Sequence, residues 1–206
     1  MSRFALVCVA LVALPPLVSA QLGEALRRPL SARERTRLEE GQTVARAVTE
    51  RRGPLHLMGG TSYQVIDAPP EVVWEHLNAS SSEYRHMLPK VESVVELSRS
   101  GDRERRLRFE HRVGPIRAHY VMRLTFDPER RITQFQLDET EPHTIRAGWG
   151  FLRVRSWPGN RTLVSFGSLV DVGRGLVTDV IRPTLQHWIL RIPWTLKRHI
   201  ESQHPH

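Results

Sequence analysis

The stretch VIDAPPEVVWEHL, residues 65–77, decides the fold. Residues 61–66 alternate polar and apolar side chains, which is typical of a half-buried strand. Pro69 and Pro70 follow, and proline is favoured in the first turn of a helix. The apolar residues after them fall on one side of a helix that runs to Leu77. The sequence therefore predicts a strand that leads directly into a short helix.

Downstream, a second short helix over 83–87 is followed by a change of the apolar period to two. Six predicted strands lie between residues 91 and 172, with tight turns such as Gly114-Pro115 and Asp127-Pro128 between them. This pattern predicts an antiparallel meander. The chain then forms a long amphipathic helix, whose apolar residues recur every three or four positions from Ile181 to Ile200. Pro193 predicts a kink in it.

Upstream, Ser31 and Glu34 fit a helix capping box. We predict that this helix continues through Val48 and stops at Gly53-Pro54, and that it packs on the main domain. Residues 21–58 are accordingly assigned to an N-terminal helical extension, 59–203 to the main domain, and 204–206 to a mobile tail.

The first twenty residues have the pattern of a secretory signal peptide. A basic residue, Arg3, precedes the apolar run 4–14, and the small residues of Val18-Ser19-Ala20 suit cleavage before Gln21. An uncleaved membrane anchor is the alternative, although the run is shorter than a bilayer span. Cleavage removes the only cysteine, Cys8, and so excludes disulfides and thiolate chemistry. With its arginine-rich composition, the chain is predicted to be secreted or periplasmic.

Composition and motifs exclude several function classes. The 206 residues, 40% apolar, suffice for one domain. The formal net charge is +8, but the arginines of the hairpin over 99–112 alternate with acidic and apolar residues, which indicates a solvated sheet face and no nucleic-acid partner. There is no Gly-x-Ser-x-Gly and no phosphate-binding glycine loop. The ten histidines form no HExxH motif or close cluster on one helix face, so we predict no metal and no cofactor.

Residues 65–77, followed by Tyr84, Pro89 and a Gly148-Trp149 pair before a strand, resemble the SRPBCC superfamily. This superfamily includes START lipid-transfer domains, polyketide cyclases and coenzyme Q-binding proteins. The resemblance covers residues 60–201 and leaves 22–58 outside. It implies an α+β helix-grip (START-like) fold, in which a curved antiparallel sheet of about seven strands wraps around a long C-terminal helix and an apolar cavity. It specifies the fold but not the ligand.

Alternate residues of each strand point to the same side of the sheet. These residues, together with the side of the last helix that faces them, form a candidate ligand-binding lining. An ordinary packed core is the alternative, since aromatic residues at strand spacing usually just pack. His111 and Tyr120 are the polar members, and they can orient a carbonyl or act as acid and base; a histidine satisfied by a neighbour or by solvent is the other possibility. Arg105 is predicted to face water. The candidate lining comprises Leu107, Phe109, His111, Tyr120, Met122, Leu124, Phe135, Trp149, Phe151, Phe166, Leu185, Trp188 and Ile192.

A second candidate surface lies beside the apolar stripe of the last helix. Apolar and cationic side chains together at a helix edge are typical of contact with an anionic membrane surface. The alternative is an edge covered by the N-terminal helix. The residues of this candidate membrane contact are Leu190, Arg191, Trp194, Lys197 and Arg198.

The leading hypothesis is an exported binding or carrier protein for a hydrophobic small molecule, such as a lipid, a sterol or a quinone-like compound. One alternative is an enzyme of the polyketide cyclase or aromatase type that uses the polar cavity residues. The other is an envelope module that contacts the membrane surface. We assign no catalytic residue, leave the enzyme question open and expect a monomer.

Overall fold

The computed structural model describes residues 28–113 and 116–203. The predicted signal peptide over 1–20, the turn at Gly114-Pro115 and the predicted tail over 204–206 lie outside the described residues. Within the described part, the chain folds as a single curved antiparallel sheet, with one helix on its convex face and the other helices on its concave face. The α+β architecture predicted from the sequence is confirmed.

The sheet has eight strands, one more than the predicted seven. In spatial order they are β1-β2-β8-β7-β6-β5-β4-β3, and every neighbouring pair is antiparallel. Strands β3 to β8 form the predicted six-stranded meander. The N-terminal strands β1 and β2 join this meander where β2 pairs with β8. The strands are β1 (Val44–Arg52), β2 (Leu55–Ile66), β3 (Val91–Ser100), β4 (Glu104–Val113), β5 (Ile116–Asp127), β6 (Ile132–Leu137), β7 (Ala147–Trp157) and β8 (Arg161–Asp171).

Helices occur at three places along the described chain. The C-terminal pair is the predicted long helix, broken at Arg191, whose amide bonds back to the His187 and Trp188 carbonyls. Pro193, which has no N–H to donate to the Ile189 carbonyl, accounts for the break. The helices are α1 (Ala32–Glu39), α2 (Pro70–Leu77), α3 (Ser81–Met87), α4 (Leu176–Leu190) and α5 (Ile192–Gln203).

The N-terminal extension is only partly helical. The capping box of Ser31 and Glu34 is present, but α1 ends at Glu39, so the prediction of a helix through Val48 is wrong. Gly41 has a left-handed backbone with φ of 76°, which ends the helix. The β-branched residues that follow suit a strand better than a helix, and β1 pairs with β2 along its whole length. The assigned boundary at 58/59 consequently falls inside β2.

Apolar residues cover both faces of the sheet. The main core lies on the concave face and includes Leu107, Phe126, Val164 and Leu196. On the convex face, Leu38 of α1 packs in a second cluster with Tyr63, Val65, Trp157 and Leu163. A third cluster, which contains Phe151 and Leu169, lies farther along the convex side.

Arg105 is buried, with 3% of its surface exposed, so the prediction that it faces water is wrong. Its guanidinium donates hydrogen bonds of 2.6 and 2.7 Å to the carbonyls of Asn78 and Ala79, just beyond the C-terminus of α2. It also lies over the Phe126 ring, 5.0 Å from the centroid. A cation at a helix C-terminus satisfies carbonyls that lack intrahelical partners. Arg105 therefore fastens α2 to β4.

Candidate functional site

An apolar cavity lies between the concave face of the sheet and helices α2, α3, α4 and α5. It has two adjoining chambers. The first, of about 150 Å³, reaches down to β6 and is walled mainly by aliphatic and aromatic side chains. Its lining consists of Leu77, Tyr84, Met87, Leu88, Phe109, Tyr120, Met122, Leu124, Thr133, Phe135, Leu152, Phe166, Ser168, Val170, Ile189, Ile192 and Leu196.

The second chamber, of about 360 Å³, lies toward the start of β5 and under α4. Its volume alone falls in the range of small-molecule sites. Six residues border both chambers, so the two adjoin: Leu88, Tyr120, Met122, Val170, Ile189 and Ile192. The other residues of the second chamber are Met58, Pro89, Lys90, His111, Arg117, Ala118, Thr144, Ile145, Val172, Ile181, Leu185 and Trp188.

The cavity brings together most of the residues that the strand parities selected. Their predicted role in ligand binding stays a prediction, but their position around one cavity is a finding of the structure. These residues are Phe109, His111, Tyr120, Met122, Leu124, Phe135, Phe166, Leu185, Trp188 and Ile192.

Three predicted lining residues lie elsewhere. Trp149 and Phe151 belong to the convex cluster, so their placement in the cavity is wrong. Strand β7 presents Gly150 and Leu152 to the concave side instead, and Gly150 makes room for the Phe135 ring. Leu107 is fully buried in the concave core but does not border either chamber.

Sequence reasoning missed the cavity wall that α2 and α3 contribute. Leu77, Tyr84 and Met87 border the first chamber, and the Tyr84 hydroxyl donates a hydrogen bond to the Leu77 carbonyl. Tyr84 and Met87 are three residues apart, and residues at this spacing share one face of a helix. This spacing is the sequence signal that indicates a common buried face. A seven-residue helix carries too little periodicity to make that signal distinct.

His111 and Tyr120 form a hydrogen-bonded pair that borders the cavity. Nε2 of His111 lies 2.7 Å from the Tyr120 hydroxyl, and the rings stack with centroids 5.4 Å apart. The two residues are diagonal neighbours on β4 and β5, since Tyr120 pairs with Phe109 and His111 pairs with Ala118, and the pleat points both side chains to the concave side. Burial lowers the pKa of His111 and raises the pKa of Tyr120 above its usual value. The pair is therefore uncharged at neutral pH.

A second polar feature lies in the first chamber. The Thr133 hydroxyl is buried and has no hydrogen-bond partner among the described residues. A buried polar group without a partner costs free energy. The Thr133 hydroxyl is thus available to a polar atom of a bound molecule.

The charged residues among the described lining of the second chamber are all cationic. Lys90 and Arg117 are exposed cations, and no carboxylate borders the chamber. The Lys90 ammonium lies 5.6 Å from the ring centroid of Trp188, a cation–π distance. The end of the second chamber that Lys90 and Arg117 border is therefore basic.

The partly buried His111 gives a pH-dependent contribution to stability. The unfolded chain takes up a proton at the ordinary histidine pKa of 6.5, whereas the folded protein does so only at lower pH. Because the unfolded state binds more protons in that window, the free energy of unfolding is expected to fall as pH drops below 6.5. Urea denaturation across this range should show a steeper acid loss for the wild type than for His111→Gln. Parallel pH profiles for the two proteins would contradict this assignment.

The candidate membrane contact is only partly accessible. Leu190 is 5% exposed, in a groove that Ala45 and Ala47 of β1 also line, so its predicted membrane contact is wrong. Lys197 is engaged with Asp67 and Glu201. The Trp194 ring lies 4.0 Å from the Arg191 guanidinium carbon and 5.0 Å from that of Arg198. For Arg191, Trp194 and Arg198, membrane contact stays a prediction.

Within the described residues, none of the helices combines the length and apolar character needed to span a bilayer.

Comparison with known proteins agrees with this architecture. Residues 66–196 match the family model described as "Polyketide cyclase / dehydrase and lipid transport". No curated protein sequence matches the chain.

Solved structures with the same fold include the Zhui aromatase/cyclase from a Streptomyces species, with a TM-score of 0.58 and 18% identity over 72% of this chain and 93% of that one. A START superfamily protein from Mycobacterium smegmatis has a TM-score of 0.54 and 14% identity over 69% of this chain and 97% of its own. A protein from Thermus thermophilus has a TM-score of 0.57 and 17% identity over 69% of this chain and 97% of its own. At these identities the likeness concerns the fold.

Proposed function

Because this chain belongs to the polyketide cyclase/dehydrase and lipid transport family of the SRPBCC superfamily, we propose that it is an exported carrier that holds one hydrophobic small molecule in its two-chambered cavity. The observation that carries the proposal is the apolar lining of that cavity. Export rests on the signal-peptide pattern of residues 1–20.

Binding is driven by the removal of apolar surface from water. Each Å² of apolar surface buried contributes about 25 cal/mol before the costs of ordering the ligand. Aromatic walls such as Phe135 and Phe166, whose ring centroids lie 5.8 Å apart, offer a broad apolar contact. A lipid tail, a sterol or a quinone-like ring with its tail has the apolar surface that these walls accept.

The polar groups of the cavity favour a ligand with a polar end. The basic end of the second chamber, with Lys90 and Arg117, suits an acidic or strongly polar head group. The His111–Tyr120 pair, between that end and the first chamber, suits a carbonyl or hydroxyl oxygen. Thr133 offers one further hydrogen bond in the first chamber. The ligand we propose is therefore an amphipathic molecule with its apolar part in the first chamber.

Filling the second chamber is expected to reduce ligand affinity. Ala118 borders this chamber as a small side chain, and Ala118→Trp places an indole in the ligand's space. The dissociation constant of a fluorescent fatty-acid probe, measured by titration, is expected to rise at least about tenfold, or about 1.4 kcal/mol. The neighbouring exposed residue supplies the control, since His119→Trp points to the opposite face. Equal affinities of the two variants would contradict binding in this chamber.

An enzyme of the cyclase or aromatase type is the second candidate, and the His111–Tyr120 pair favours it. Both side chains face one point of the cavity and can exchange a proton there. The test is the cyclisation of a poly-β-keto thioester. An enzyme would form product, and Tyr120→Phe would abolish turnover even at saturating substrate, a loss much larger than its effect on the affinity for the fatty-acid probe. Product at the uncatalysed rate with wild-type protein would exclude this candidate reaction.

A further inference from the structure

Three helices at one end of the cavity bring together a cluster of metal-ligating side chains. His76 belongs to α2, Glu83 to α3 and His199 to α5, so residues distant in sequence become neighbours only in the folded chain. One donor atom from each side chain lies within 4.8 Å of the other two. No local sequence motif predicts this cluster, because its members lie on three different helices.

The geometry within the cluster is close to that of a metal site. Nε2 of His199 lies 2.7 Å from Oε2 of Glu83, and the rings of His76 and His199 have centroids 5.7 Å apart at an edge-to-face angle. Donor atoms around a tetrahedral Zn²⁺ are about 3.4 Å apart, given bond lengths of about 2.0–2.1 Å. Small side-chain movements of about 1 Å therefore separate the described arrangement from a coordinating one.

The surroundings of the cluster also suit a bound cation. The side chains are partly buried, His199 with 10% exposure and Glu83 with 30%, so a path to solvent remains. The ring of His86 stacks on His199 at 5.6 Å and supplies a further imidazole close by. Two imidazoles and a carboxylate are the donors that zinc and similar first-row cations prefer, with a fourth position for water.

We propose that His76, Glu83 and His199 form a binding site for a divalent transition-metal ion, of which Zn²⁺ is the representative. The metal would take the place of the direct contact between Nε2 of His199 and Oε2 of Glu83 and would join α2, α3 and α5. The same helices contribute Leu77, Met87 and Leu196 to the first chamber. The ion would consequently restrain the helices that cover this chamber, a consequence that rests on the proposed function, whereas the site itself does not.

The experiment is a titration of the tag-free mature protein with Zn²⁺ by calorimetry, and with Co²⁺ by absorption spectroscopy. We expect one equivalent of metal, d–d bands typical of tetrahedral Co²⁺, and an affinity lowered at least about 100-fold in His199→Gln and in Glu83→Gln. These substitutions retain polar side chains of similar reach, and circular dichroism verifies that the variants are folded.

Two control variants make the outcome decisive. His143 is exposed and outside the cluster, so His143→Ala should bind Zn²⁺ as the wild type does. The sequence also ends in His204-Pro205-His206, which can bind metal by itself, so the double variant His204→Ala/His206→Ala should retain the site. Loss of binding in this double variant, or unchanged binding in His199→Gln, would overturn the proposal. If Zn²⁺ binds but does not slow the release of the fatty-acid probe, the metal site stands and the inferred restraint of the helices over the first chamber is wrong.

Discussion

Replacing Arg105 by alanine is expected to lower the free energy of unfolding by about 3 kcal/mol. The substitution removes two charge-assisted hydrogen bonds to the Asn78 and Ala79 carbonyls and the contact with the Phe126 ring. It also leaves a void where a large buried side chain packed. Urea denaturation followed by circular dichroism measures the change.

Arg108 provides the matched control for this prediction. It lies three residues later on the same strand, with its side chain exposed. Arg108→Ala is expected to change the free energy of unfolding by less than about 0.5 kcal/mol. Similar losses in both variants would show that Arg105 does not fasten α2 to the sheet.

Replacing Gly150 by alanine is expected to cost about 3 kcal/mol of stability. A Cβ atom at this position would overlap the Gly167 carbonyl oxygen of the adjacent strand and the Phe135 ring. The backbone of β8 cannot give way without disturbing its pairing with β7. Because Phe135 also borders the first chamber, the variant should lose affinity for the fatty-acid probe as well. Thermal denaturation and probe titration measure the two effects.

Gly148 is the corresponding control on the same strand and face. An added Cβ there would meet the flexible ends of Met122 and Ile145, at 3.2 and 3.3 Å, and Cγ2 of Val170 at an ordinary contact distance of 4.0 Å. Gly148→Ala is therefore expected to cost less than about 1 kcal/mol. A Gly150→Ala protein as stable as Gly148→Ala would contradict the packing described for β7.

Much of the fold follows from local patterns in the sequence. The stretch over 65–77 contains both its strand and its proline-started helix, and the alternation after Val91 predicts the meander correctly. The N-terminal strand could not be found in the same way. Val44 to Val48 carries only a weak apolar pattern, and its strand conformation depends on pairing with β2, a contact that no local signal reports.

The candidate site was predictable where strand parity is unambiguous. Around Phe109 and His111 on β4 the apolar parity is clear, and these two residues and Tyr120 of β5 face the cavity as predicted. On β7 both parities carry apolar residues, so Trp149 and Phe151 were placed on the wrong face. Glycine on the concave side, at Gly148 and Gly150, is the signal that would have identified the correct parity, because bulky neighbours need that space.

Arg105 and the histidine cluster show a different limit. The side chain of Arg105 is buried because a helix terminus lies above it, and His76 meets His199 because α5 returns across the sheet. Each arrangement depends on tertiary neighbours far away in sequence. Residue type and local spacing therefore could not predict them.

The carrier function depends most directly on whether the purified protein contains a ligand. The mature chain, expressed with export to the periplasm and purified without detergent, should be extracted with organic solvent and the extract analysed by mass spectrometry. We expect one amphipathic molecule per protein, strongly reduced in Ala118→Trp and retained in His119→Trp. A wild-type protein that is reproducibly empty, and that also fails to take up added fatty acid, sterol or quinone, would contradict the carrier function.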